Sequence, residues 1–157
     1  MNEARRDVLK KGGGLTLLSL VAAAGWLKPG DASAQTWNKG AFEAKTMDET
    51  MKAFGGGAPA QSTGIAFVST PDIAENGAVV PIGITSSIPK TESIAILIEK
   101  NPNMLAASFD IPPGTEPAIG ARVKMGQSSN VYALVKADGK YYVASKEIKV
   151  TLGGCGG

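Results

Sequence analysis

From residue 64 to residue 152 apolar and polar positions alternate with a period of two, and turn-forming residues interrupt the alternation every 8 to 12 positions or so. Val80, Ile82 and Ile84, then Ile94, Ile96 and Ile98, then Ile119, Ala121, Val123 and Met125 each occupy alternate positions. In an extended chain such residues share one face. The pattern predicts strands over 64–69, 78–85, 93–99, 105–110, 119–125, 130–136, 140–145 and 147–152. The breaks are Glu75-Asn76-Gly77, Ser87-Ile88-Pro89, Asn101-Pro102-Asn103, Pro112-Pro113-Gly114 and Asp138-Gly139, the last a hairpin signal between two runs rich in Val and Tyr. In the final strand Ile148, Val150 and Leu152 are expected to face inward and Lys149 and Thr151 outward. Pro81 cannot donate to a ladder, so its strand is expected at a sheet edge or a bulge.

Upstream the period lengthens. Met47, Met51 and Phe54 fall on one helical face, Thr46 with Glu49 three residues on makes a capping box, and Gly55 supplies a stop, predicting one helix over 46–54. A short lead with Trp37 and Phe42 precedes it, and residues 58–63 read as a polar linker. The predicted fold class is all-β. Seven or eight short strands in about 90 residues point to an immunoglobulin-like antiparallel β-sandwich without the inter-sheet disulfide, with a small closed barrel as the alternative.

Residues 1–34 read as an export signal rather than as part of the fold. Arg5, Arg6, Lys10 and Lys11 lead into an apolar run from Leu15 to Leu27, and Ala32-Ser33-Ala34 is a small-residue cleavage pattern ending before Gln35. The paired arginines followed by Val8, Leu9 and Lys10 resemble the twin-arginine class of bacterial signal, with Ala4 where many such signals have Ser or Thr. The run is shorter than the roughly 20 residues a membrane span needs. The expected organisation is therefore a signal peptide over 1–34, helix and linker over 35–63, the sandwich over 64–152 and a short arm over 153–157, in the periplasm after release.

Charge follows from that division. The chain has 16 basic and 14 acidic residues, and removing 1–34 leaves 11 of each. A neutral mature chain gives no reason to expect nucleic acid or an anionic membrane as a partner. There is no histidine, which excludes a Ser-His-Asp triad, a Cys-His pair and any metal site that needs an imidazole. A single cysteine excludes an intrachain disulfide and a C-x-x-C redox pair. Asp72, Glu75, Asp110, Glu116 and Asp138 stand on turns or outward strand positions with no pairing that marks acid-base work. No catalytic residue, metal site or resident cofactor is expected.

What remains is the end of the chain, Gly153-Gly154-Cys155-Gly156-Gly157. Glycines bury nothing and stiffen nothing, so the sequence describes a tether that presents one thiol. Extended, it would carry Cys155 roughly 10 Å past Leu152, enough to enter another protein's cleft. The plain alternative is a frayed terminus with an incidental cysteine. A thiol of ordinary pKa, about 8.5, is only a few per cent thiolate at neutral pH, so activation is expected from whatever pocket receives it.

The tail Val150-Thr151-Leu152-Gly153-Gly154-Cys155-Gly156-Gly157, together with Lys146-Glu147-Ile148-Lys149, Glu75-Asn76-Gly77-Ala78-Val79-Val80-Pro81 and Lys100-Asn101-Pro102, resembles the SoxY family of bacterial sulfur oxidation. The resemblance implies a periplasmic sulfur carrier that is not itself an enzyme, with Cys155 as the covalent attachment point and Gly153, Gly154, Gly156 and Gly157 as the arm. It further implies a heterodimer with a SoxZ-like subunit, loading by a c-type cytochrome, release of sulfate by a hydrolase, and further oxidation of the remaining sulfane by a molybdenum-containing sulfane dehydrogenase. Two other readings stand beside it. One is an exported structural sandwich that uses Cys155 for intermolecular disulfides; the other is a ubiquitin-like carrier with a thiocarboxylate on Gly157, which the export signal and strand-rich pattern oppose.

Overall fold

The structure is a computed structural model and describes residues 38–151. Eleven elements follow in order: α1 Lys39–Glu43, α2 Met47–Ala53, β1 Ala60–Gln61, β2 Ile65–Val68, β3 Ile73–Ala74, β4 Val80–Ser86, β5 Thr91–Ile98, β6 Leu105–Asp110, β7 Ala118–Val123, β8 Ser129–Ala137 and β9 Lys140–Val150. The large sheet runs β1-β9-β8-β5-β6, with β3 also on β9, and the small sheet runs β2-β4-β7. Two separate sheets make this a sandwich and not the closed barrel.

The alternation read from the sequence is what joins the sheets. Ile82 and Ile84 of the small sheet meet Ile94, Ile96, Ile98, Val131 and Val135 of the large one in a core from which water is excluded. β5 and β8 are buried on both faces, because Ala95, Leu97 and Leu134 point the other way, onto Ala41, Met51 and Met104 on and beside the helices. The molecule thus has three layers: small sheet, large sheet, helices.

α2 begins and ends where its residues require. Thr46 Oγ1 accepts from Glu49 N–H at 3.2 Å, and Glu49 Oε2 accepts from Lys45 N–H at 2.8 Å, one residue earlier than in the usual reciprocal box. Gly55 closes it with φ of 71°. Tyr141 donates to the Phe54 carbonyl at 3.1 Å and stacks on its ring, holding the helix end to β9. α1 was not foreseen. In the lead segment Asn38 Oδ1 accepts from Ala41 N–H at 3.1 Å while its amide donates to Ala53 O at 2.9 Å, so one side chain caps one helix and ties it to the other.

Four further expectations are corrected. The tail is one strand, not two: β9 pairs with β8 without a break from Lys140 to Ile148, since Ser145 and Lys146 continue the ladder opposite Tyr132 and Val131. The 58–63 linker contains β1, and a second two-residue strand, β3, follows β2; both pair with β9 in parallel, so the sandwich is not wholly antiparallel. Pro81 sits in the central strand of the small sheet, neither at an edge nor at a bulge. β2 ends at Val68, opposite Gly83, so the flank to which Pro81 turns its nitrogen has no ladder to lose. There Thr70 Oγ1 accepts from Gly83 N–H at 3.0 Å and donates to Gly83 O at 3.2 Å, completing the pairing in place of β2.

Candidate functional site

Cys155, Gly153, Gly154, Gly156 and Gly157, the residues to which the sequence assigns the chemistry, lie outside the described residues, as does Leu152. The structure shows what they are attached to. β9 is the longest strand, 11 residues, and its outer flank is covered by β1 at Tyr142 and Val143 and by β3 at Lys149 and Val150.

Successive residues of a strand turn their backbone groups to opposite flanks, and at the end of β9 both flanks are held. Lys149 N–H donates to Asp72 O at 2.9 Å and Thr151 N–H to Ala74 O at 3.0 Å, on the β3 side. Val150 N–H donates the other way, to Ser128 Oγ at 2.9 Å, and that hydroxyl reaches Val150 O at 3.4 Å. Ser128 replaces β8, whose ladder begins one residue later at Ser129.

The turn before β4 closes the same spot. Asn76 Oδ1 accepts from Ala78 N–H at 2.9 Å, shaping the turn, and Met125 N–H donates to Gly77 O at 2.7 Å. A Cβ on Gly77 would collide with the Met125 carbonyl oxygen and stand 2.8 Å from Val150 Cγ1, so only glycine fits there. Backbone pairing therefore holds the chain through Thr151, four positions before Cys155.

Of the cations considered from sequence, Arg122, Lys124 and Lys149 are exposed. Lys146 is not a free charge. Its ammonium donates to Thr70 O at 2.6 Å and pairs with Asp72 Oδ1 at 3.0 Å, anchoring to β9 the chain that crosses from β2 to β3. Asp72, Glu75, Asp110, Glu116 and Asp138 are all exposed, as their turn and outward positions predicted.

The displaced carboxylate pKa values lie at the opposite end of β9, around the Asp138-Gly139 hairpin. The hydrogen bond from Lys136, with a second from Gly139 N–H, holds the Glu92 carboxyl below its ordinary value. Lys90 does the same for Asp138. Ser128, Gly77 and β3 are the positions that sequence reading missed. No residue type marks them, because their role is to be near Val150 in space.

The family model described as Sulfur oxidation protein SoxY matches residues 50–155, a span that ends on Cys155. The chain belongs to the SoxY family. The solved structure of the sulfur carrier protein SoxY from Chlorobium limicola f thiosulfatophilum is 40% identical over 67% of this chain and 96% of that one, with a TM-score of 0.60. A superoxide reductase (neelaredoxin) from Ignicoccus hospitalis, 19% identical over 60% of this chain and 83% of its own, has a TM-score of 0.50 and shares the fold alone. No curated protein matches the chain. The SoxY match takes in every strand of the two-sheet body, from β1 to β9.

Proposed function

We propose that this SoxY-family chain is a periplasmic carrier that holds sulfur covalently on Cys155 and presents it to the enzymes of a sulfur-oxidising system. The observation that carries the reading is the family match running to Cys155, on a strand whose backbone is gripped on both flanks up to Thr151. Four further residues, fully extended, cover at most about 14 Å. A thiol so placed can enter a narrow active site while the sandwich stays outside it.

The chemistry assigned to the chain is that of the thiol alone. In loading, the Cys155 sulfur forms a bond to the outer sulfur of thiosulfate, the thiol proton leaves to solvent, and two electrons pass to the c-type cytochrome that acts on the carrier. The sulfate-releasing hydrolase then uses water to break the bond between the outer sulfur and the sulfonate, giving sulfate, two protons and a persulfide on Cys155. The persulfide sulfur is the substrate of the sulfane dehydrogenase. A SoxZ-like subunit is the proposed heterodimer partner, and residues 1–34 the proposed twin-arginine export signal.

Intact mass spectrometry of the mature protein, purified without reductant from cells grown with and without thiosulfate, tests this. The expected result is a reductant-sensitive sulfur adduct mapped to Cys155 and absent from Cys155→Ser. A Cys155 that is always bare, or present only as a disulfide between chains, would replace the carrier reading with the structural one.

A further inference from the structure

Asn76-Gly77, in the turn before β4, is the single asparagine-glycine step of the chain. At such a step the glycine nitrogen can attack the side-chain amide of the asparagine, because no Cβ stands in the way. Five asparagines fall among the described residues, and four of them are shielded from this reaction. Asn38 donates its amide to Ala53 O at 2.9 Å and Asn130 donates to Glu99 Oε2 at 2.8 Å, so their leaving groups are held. Asn101 donates to Lys124 O at 2.8 Å and is followed by Pro102, which has no N–H. Asn103 is followed by Met104, whose N–H is engaged by Ala44 O at 2.9 Å.

Asn76 has none of these restraints. It is exposed to water, and neither its amide nitrogen nor the Gly77 N–H has a partner among the described residues. What is held is the other end of the amide, since Oδ1 accepts from Ala78 N–H at 2.9 Å. Attack at Cγ places negative charge on that same oxygen. The Ala78 N–H is therefore already in position to stabilise it.

We propose that Asn76 is a site of spontaneous deamidation, and that its isoaspartate product releases the clasp which Gly77 makes on the root of the arm. The Gly77 nitrogen gives its proton to hydroxide and bonds to Asn76 Cγ, and ammonia leaves with a proton from water, closing a succinimide. Water then opens the ring at either carbonyl, to aspartate or to isoaspartate, and no electrons are exchanged with another molecule. Isoaspartate routes the main chain through Cβ and Cγ, lengthening the loop by one carbon and removing the carbonyl that accepts from Val79 N–H at 3.3 Å. Gly77 has no slack to absorb this. Its carbonyl accepts from Met125 N–H at 2.7 Å, and a Cβ there would collide with Met125 O and stand 2.8 Å from Val150 Cγ1. The longer loop moves outward and draws Gly77 off Met125 and Val150. Aspartate keeps both the backbone and the acceptor for Ala78 N–H, so it leaves the clasp closed.

The test uses the mature chain carrying Cys155→Ser, which keeps it independent of the sulfur chemistry. The protein is aged folded, at neutral and at mildly alkaline pH, beside the same chain unfolded in urea, and mapped by mass spectrometry with electron-transfer fragmentation. The expected result is the mass gain of an amide becoming an acid at residue 76, ahead of every other described asparagine, faster at the higher pH and as ready in the folded chain as in the unfolded one. Isoaspartate and aspartate should both be present. In the isoaspartate form, separated by anion exchange, the Met125 amide should exchange about five-fold faster than in the parent. Asn76→Asp, which supplies the other product directly, should keep the parent's rate. An Asn76 that stays intact in the folded chain while the unfolded chain converts overturns the proposal. So does an isoaspartate form whose Met125 exchange is unchanged, or one that loses protection throughout the Ile94–Ile98 core, since the effect would then be absent or not local to the clasp.

Discussion

Replacing Ser128 with alanine tests whether the root of the arm is held as the structure describes. The hydroxyl accepts from Val150 N–H at 2.9 Å in a half-buried position, and a bond of this kind contributes about 1 kcal/mol net. That free energy corresponds to about a five-fold change in an opening equilibrium. Lys149 and Thr151 keep their bonds to Asp72 and Ala74, so the loss is confined to one flank. Amide hydrogen exchange by NMR should show Val150 exchanging about five-fold faster in Ser128→Ala, with Ile148 and the Ile94–Ile98 core unchanged. Ser128→Thr should restore protection. The thiol's rate with a small alkylating reagent should not move, because the change lies in how the arm is aimed and not in the sulfur. Val150 exchange that is unaltered in a folded Ser128→Ala protein would refute the argument, showing that β3 alone holds the strand.

Gly83→Ala should destabilise the small sheet by about 1–3 kcal/mol in urea unfolding, since its Cβ would collide with the Val68 carbonyl oxygen and something must shift; a neutral result would mean that β2 yields freely. The Glu92 and Asp138 carboxyls, held down by Lys136 and Lys90, should titrate below ordinary glutamate and aspartate in carbon-detected NMR. Their folded values are depressed, so their contribution is present above the unfolded pKa and lost as pH falls through the folded one. Glu92→Gln should flatten that acid limb, and an unchanged limb would remove Glu92 from it. Gly154→Trp or Gly156→Trp should slow turnover of the loaded carrier by partner enzymes while leaving small-reagent reactivity of Cys155 intact. Equal loss in both assays would mean that the body, and not access, was damaged.

Much of this protein is legible along the chain. Strand positions follow from period-two alternation because one inward face must leave water, and Ile82, Ile84, Ile94, Ile96 and Ile98 are buried as that pattern requires. The α2 cap is legible because Thr46 and Glu49 act on backbone within four residues of themselves. The Asp138-Gly139 hairpin is legible because its positive φ values, 50° and 72°, suit those two residues. The thiol was legible because it is the single cysteine and is flanked only by glycine.

Tertiary structure decided the rest, where contacts join residues far apart in sequence and carry no local signature. β1 and β3 exist only because β9 offers a flank to pair with; two residues have no periodicity to read. Pro81 looked like an edge residue because a sequence shows that an N–H is missing and cannot show which flank needed it. Ser128 and Gly77 look like ordinary turn residues until Val150 is brought beside them. A sequence records what each residue can bond and bury, whereas the fold decides which residues come close enough to do so.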